Sequence, residues 1–400
     1  MHIVTSTDVL LPRAEDMGAW SVIACDQFTS EPEYWAAAEA RAAEKPSTLS
    51  LMLPEAWLHT ARAEGADARI ADTMRRYLAE GVFQTIPDSF IYVERTLPDG
   101  RIRRGLVAAL NLDQYDFTGR LQTSVRSTEG TVEERLPPRV NIRRSAPLEM
   151  PHTLLLMDDR TDSVLSLAEK AKDALEKVYD FDLMLGGGHI AGWRVSGETK
   201  AAVQSALDSL DNAALQREKY GDAAKNGKLT FAVGDGNHSL AAAKRFWEEK
   251  REALPENERQ TDPARFALVE IENIHEPSLD FEPIHRVIFD TDTSAFASAL
   301  TAHRAEWEAE DKTLGERVAA VESFCRAYTA AHGGYIDYIH GNDTARALGE
   351  KPNCAAVLLP PVEKSGLFLS VLKNGALPKK SFSMGNARDK RYYLECRRIR

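Results

Sequence analysis

The chain has 400 residues, of which 43% are hydrophobic and 28% charged. This ordinary globular usage excludes a disordered, collagen-like or disulfide-scaffold protein. Lys and Arg number 50 against 61 Asp and Glu, a formal net charge of -11, which excludes a general nucleic-acid binder but leaves room for a local pocket that holds a small anion.

The length predicts two or three domains. The first twenty residues lack a basic segment followed by an apolar core, and no apolar run approaches 18 residues. The expectation is a cytoplasmic protein with no membrane partner. Cys25, Cys325, Cys354 and Cys396 are far apart and form no Cys-x-x-Cys, so four free thiols are expected rather than a zinc or redox site. Oligomeric state leaves no trace in the sequence.

Helical and strand signals alternate along the chain, so the expected class is α/β or α+β. It would have mixed sheets with packed helices in two to three subdomains. Residues 161–180 read as a helix, with Val164, Leu167, Ala168, Ala171, Leu175 and Val178 on one face. Residues 179–185 and 190–195 read as strands around Gly186, Gly187, Gly188 and His189, most simply a hairpin turn. A second helix is predicted over 197–210. Residues 229–233 (LTFAV) suit a buried strand, followed by the turn Gly234-Asp235-Gly236-Asn237-His238 and a helix over 239–250. Residues 266–271 predict a further strand, and 295–307 and 317–331 predict helices. Strands and turns are expected at 335–339, 355–359 and 367–372. Pro137, Pro138, Pro147 and Pro151, and the stretch 290–294, suggest cuts into an Arg-rich region 1–150, a central region 151–290 and a C-terminal region 291–400.

The strand–turn–helix at 229–250 is the strongest candidate site. Small residues let the backbone approach a ligand closely. The first amides of the following helix have no intrahelical acceptor, and the helix dipole favours an anion there. Asp235, Asn237, His238 and Ser239 add polar chemistry to that turn. His238 suits a phosphate donor or an acid–base group, and Asp235 suits a metal ligand or a partner that orients the histidine. Asn237 or Ser239 would equally serve as a helix cap, and Asp235 as a turn residue. The segment is neither a Walker loop nor a Gly-x-Gly-x-x-Gly. Asp26, after an apolar run, and His285 beside Arg286 are weaker candidates.

Charge is unevenly distributed. From Arg95 to Arg144 there are ten arginines, Arg120 among them, no lysine and six acids, a local +4. Arginine's planar fork grips carboxylate or phosphate, although a salt-bridged surface would look the same. Arg126 and Glu129, in Arg-Ser-Thr-Glu-Gly-Thr, are the pair singled out. The stretch 388–400 holds six bases and two acids, again +4, whereas 248–282 holds eleven acids and four bases.

Taken together these segments resemble the DUF1015 family of uncharacterised bacterial and archaeal proteins, over most of the chain. Residues 231–239 (FAVGDGNHS) stand at the family's strand and Asp-Gly-His-His-Arg turn. Thr128-Glu129-Gly130-Thr131 with Arg135 resembles its His-Glu-x-Thr segment and arginine. Pro283-Ile284-His285-Arg286 resembles its Pro-x-His-Arg element, and 381–385 with 391–395 resemble its ending. Asn237 and Ser239 replace a histidine and an arginine of the motif, and Thr128 replaces the histidine before the glutamate.

The motif turn is similar to one in the ParB and sulfiredoxin superfamily. There a turn at a helix N-terminus meets nucleotide phosphates, and some relatives are small-molecule serine kinases. The resemblance implies an enzyme that binds a small anionic substrate, a phosphorylated molecule or nucleotide, and that belongs to serine metabolism. Asp235, His238 and Glu129 would be catalytic, with Asp235 holding Mg²⁺. Gly234, Gly236, Asn237, Ser239, Arg126, Arg135, His285 and Arg286 would bind phosphate or substrate, and a nucleotide such as ATP or ADP would be the cofactor. The alternatives are a metal-dependent hydrolase built on Asp235, His238 and Glu129, or a non-catalytic small-anion-binding protein, which the three replaced motif residues favour.

Overall fold

A computed structural model describes residues 2–119, 122–131, 133–150 and 152–400. Arg120 and Pro151 of the readings above lie outside the described residues. The chain is a mixed α/β protein whose largest element is an eleven-stranded sheet. Across it the strands run Glu176–Asp182, His189–Val195, Phe83–Thr96, Ile102–Asn111, Phe266–Asn273, Leu154–Met157, Phe231–Asp235, Val125–Ser127 and Tyr115–Asp116. Val4–Thr5 and Thr7–Pro12 pair off this path.

Both faces of this sheet are covered, which is why its strands read as continuous apolar runs rather than alternating ones. The period of two sends successive residues to opposite cores. Leu106, Ala108 and Leu110 join Phe231 and Val233 in one core, while Val107 joins Ile91 and Leu268 in another. Helices Gly197–Leu210 and Asn237–Ala253 cover the first face, and Ala66–Ala79 covers the second.

A smaller antiparallel sheet joins Tyr335–His340, Phe281–Phe289 and Cys354–Val357, and Phe382–Met384 pairs with the start of the middle strand. Helix Leu314–His332 packs on it and opens on a reciprocal cap between Thr313 and Glu316. Strands from both sides of residue 150 interleave in the large sheet. The last residues return to the N-terminal part, where Tyr392–Tyr393 pairs with Val22–Ile23 and Arg397–Arg398 with Leu148–Glu149.

Two expectations are corrected. The helix of 161–180 is Leu165–Ala171 with one 3-10 turn, and the chain then extends as strand Glu176–Asp182. Its pairing with His189–Val195 overrides the helical period, and Gly192 leaves the space that Tyr179 occupies on the neighbouring strand. Residues 367–372 are not a strand but part of helix Leu367–Asn374. Leu367, Phe368, Val371 and Leu372 are among its buried residues, a helical spacing within a run too short to separate from a strand. Pro137 and Pro138 lie in the first turn of helix Leu136–Ser145, where a missing N–H costs nothing. Cys25, Cys325, Cys354 and Cys396 are free. Among the described residues no helix is long and apolar enough to cross a membrane.

Candidate functional site

Strand Phe231–Asp235 ends at the turn, and helix Asn237–Ala253 begins one residue later. Gly236 has φ +78°, the left-handed region, and a Cβ there would come within 2.8 Å of Thr153. A Cβ on Gly234 would meet Met384 Sδ at 2.5 Å and Leu156 at 2.9 Å. Gly236 is therefore fixed by turn geometry and close approach together, and Gly234 by close approach.

Strand Val125–Ser127 lies parallel to this strand, with Ala232 beside Arg126 and Val233 beside Ser127. Parallel strands leave the sheet at the same end, so Glu129 emerges beside Asp235. Thr128 Oγ1 donates to the Val233 carbonyl at 2.6 Å and closes this end of the pair. The Leu377 amide in turn donates to the Thr128 carbonyl at 2.7 Å. That bond brings Lys379 and Lys380 over the same end.

The result is a cleft of about 530 Å³. Glu129, Asp235, Asn237, His238, Ser239 and the backbone of Gly234 and Gly236 line it, with Arg135. Sequence reasoning did not single out its other cations, Arg139, Arg326, Lys379, Lys380 and Lys390, nor His152 and His340. Arg139 lies in the Arg-rich stretch 95–144 and Lys390 in the basic stretch 388–400, but neither was separated from its neighbours by local sequence. Asp26, a weaker candidate, also lines the cleft, and its Oδ2 lies 3.9 Å from His152 Nε2.

The electrostatics divide the side chains. Asp235 Oδ1 accepts from the Gly236 amide at 2.8 Å, and its Oδ2 lies 3.1 Å from Lys390 Nζ. Burial, with the charge of Asp235, pushes the Glu129 carboxyl up to about 7, against the pull of the Ser381 amide and Lys380. Burial, reinforced by Arg139 and Arg135, lowers His238 to about 4, so its imidazole is neutral at pH 7. For Asp26, burial works upward but His152, Gln27 and Lys390 outweigh it and hold the carboxyl below its ordinary value. Among the described residues no carboxylate lies within ion-pair distance of Arg135, Lys379 or Lys380. The buried Asn237 Oδ1 has no hydrogen-bond partner among the described residues.

Three sequence candidates are not drawn into this cleft. The Arg126 guanidinium donates to the carbonyls of Thr123 and Asn226 at 3.0 and 2.9 Å. His285 is buried, and its Nδ1 accepts from the Leu359 amide at 3.1 Å. Arg286 is buried beside Glu322, 3.3 Å away, and donates to the Lys380 carbonyl at 3.1 Å. All three hold backbone in place, Arg286 from behind the segment that carries Lys380. His189 sits far along the sheet between Asp180 and Asp182. Among the described residues no group of three or more His, Cys, Asp or Glu side chains is arranged as a metal site.

Three solved structures are similar at low level, each 10% identical. A conserved hypothetical protein from Pyrococcus furiosus matches 73% of this chain and 95% of its own, with a TM-score of 0.33. A mutant free serine kinase in complex with AMP matches 72% and 91%, with a TM-score of 0.36. A C-terminally truncated SbnI from Staphylococcus aureus matches 70% and 82%, with a TM-score of 0.32. At such scores the likenesses carry no argument about chemistry. No curated protein matches the chain. The family model described as "Protein of unknown function (DUF1015)" matches residues 7–398, and the chain belongs to the DUF1015 family.

Proposed function

We propose that the cleft binds a small phosphorylated molecule and transfers its phosphoryl group to or from a hydroxyl. The observation that carries this reading is the meeting of opposites in one cleft. Arg135, Lys379 and Lys380, with no carboxylate partner among the described residues, and a helix N-terminus share the cleft with the carboxyl groups of Asp26, Glu55, Glu129 and Asp235, of which Glu129 holds its proton to about pH 7. Phosphoryl transfer needs chiefly positioning and neutralisation of charge.

In this reading the amides of Asn237 to Ser239, with Lys379, Lys380 and Arg135, hold the phosphate oxygens. Lys390 keeps Asp235 oriented. Asn237 Oδ1 accepts a hydrogen from the ligand, and neutral His238 donates one. Glu129 takes the proton of the attacking hydroxyl as that oxygen bonds to phosphorus. The bond from phosphorus to the leaving oxygen breaks, and that oxygen keeps the electron pair. Asp235 is a hard oxygen donor suited to Mg²⁺, which would neutralise phosphate charge. A nucleotide is the donor that the family resemblance favours, with a serine-like small molecule as acceptor.

Isothermal titration with ATP, ADP, CTP, pyrophosphate and phosphoserine, Mg²⁺ present, tests the reading. Binding by at least one ligand, weakened at least about tenfold in Asp235→Ala, is expected. No binding by any, or unchanged binding in the variant, would remove it. Once a substrate pair is found, Glu129→Gln should lower turnover by about 10²–10⁴-fold, the usual span for a lost general base.

A non-catalytic anion-binding protein is the second reading. Thr128 favours it, because its hydroxyl is committed to the Val233 carbonyl. Tight binding with no turnover in any ligand combination would support that alternative.

A further inference from the structure

A second cavity, of about 180 Å³, lies against the cleft. That is far above the roughly 10–15 Å³ that admits one water. Leu58, Met74, Ile142, Met150 and Leu268 form much of its wall. Glu55, Arg139, His152 and Ser239 line both spaces, so the two share a boundary.

Helix Asn237–Ala253 explains the division. Its first turn, Asn237 to Ser239, presents polar groups to the cleft, and the next turn presents Leu240, Ala242 and Ala243 to the cavity. Protein interiors are otherwise close-packed, and voids of this size are few. The charged groups on the cavity wall are already paired, Arg139 with Glu55 and Arg143 with Glu149. His152 Nδ1 lies 2.7 Å from the Tyr393 hydroxyl. What the cavity offers is apolar contact.

We propose that this cavity takes the uncharged apolar portion of the molecule whose phosphate occupies the cleft, so that the site selects an amphipathic phosphorylated substrate. The proposal rests on the phosphate-binding reading above and adds the class of substrate. The phosphate would sit at the helix N-terminus, and the apolar portion would pass Ser239 and His152 and lie along Ala242 and Ala243.

The probes are inorganic phosphate and the monoalkyl phosphates from methyl to hexyl, titrated into the full-length protein. Affinity is expected to rise about fourfold per methylene, the equivalent of about 0.8 kcal/mol for each one buried. The rise should be lost in Ala243→Phe, which fills the cavity from the helix, and in Leu58→Trp, which fills it from a different segment of the chain. Both variants should bind inorganic phosphate as the parent does. Binding of phosphate with no dependence on alkyl length overturns this proposal and spares the anion cleft. A rise that persists in both filled variants places the alkyl chain elsewhere and also overturns it. Binding of no probe at all removes the phosphate-binding reading itself. Even if neither variant folds, a length series with no rise in the unsubstituted protein overturns the proposal.

Discussion

Two basic regions of this molecule end in opposite states. In the C-terminal return, Arg391 and Arg397 are 4% and 5% exposed. Arg391 Nε lies 2.6 Å from Glu270 and its Nη2 2.7 Å from Glu395, and Arg397 Nε lies 2.6 Å from Glu149. At the cleft, Arg135, Lys379 and Lys380 are exposed and have no carboxylate within ion-pair distance among the described residues. A buried charge must be matched, so the first region is committed to fastening the chain end. Unmatched cations around a concavity attract anions, so the second is available to a ligand. Local net charge does not separate the two states, whereas pairing does.

The largest effect expected from breaking this contrast is on stability. Arg391→Met leaves Glu270 and Glu395 buried without their partner and should cost about 3–5 kcal/mol, read by urea unfolding. A loss under about 1 kcal/mol would mean that the pairing does not fasten the chain end. Next comes Lys379→Ala combined with Lys380→Ala. Stability should stay within about 0.5 kcal/mol, as for ordinary surface positions, while pyrophosphate affinity falls at least about tenfold. A stability loss with unchanged affinity would reverse the roles assigned to the two regions.

Smaller effects follow from titration. Glu129 holds its proton to about 7 rather than its ordinary 4.5. Between those values the folded chain binds more protons than the unfolded one, so stability contributed by this group falls as pH rises through the window. Glu129→Gln should flatten that part of the profile. His238 has the opposite sign, because its value is lowered from 6.5 to about 4. The unfolded chain binds the extra proton there, so this contribution is lost as pH falls through that interval. His238→Asn should flatten the acid limb, and a curve that superimposes on the parent's would count against a half-buried, neutral imidazole.

The ten arginines from 95 to 144 show how far sequence reading reached. Among the described ones, Arg135 and Arg139 line the cleft. Arg95, Arg103, Arg104 and Arg143 are spent on buried carbonyls and carboxylates. Arg126, selected for its place three residues before Glu129, donates instead to the backbone carbonyls of Thr123 and Asn226.

What the sequence determined by itself was local. The strand into Gly-Asp-Gly, the helix after it, the mixed α/β class and the family motif all follow from neighbours within about twenty residues, where periodicity, turn chemistry and capping act. Tertiary structure decided the rest. The parallel register of Val125–Ser127 beside Phe231–Asp235 set Glu129 next to Asp235. One amide, Leu377 to Thr128, brought two lysines from the far end of the chain over both. The return of residues 391–398 buried a basic stretch that the sequence presents as free charge. Such pairings depend on which strands meet and which charges are desolvated, and neither is encoded at fixed spacing along the chain.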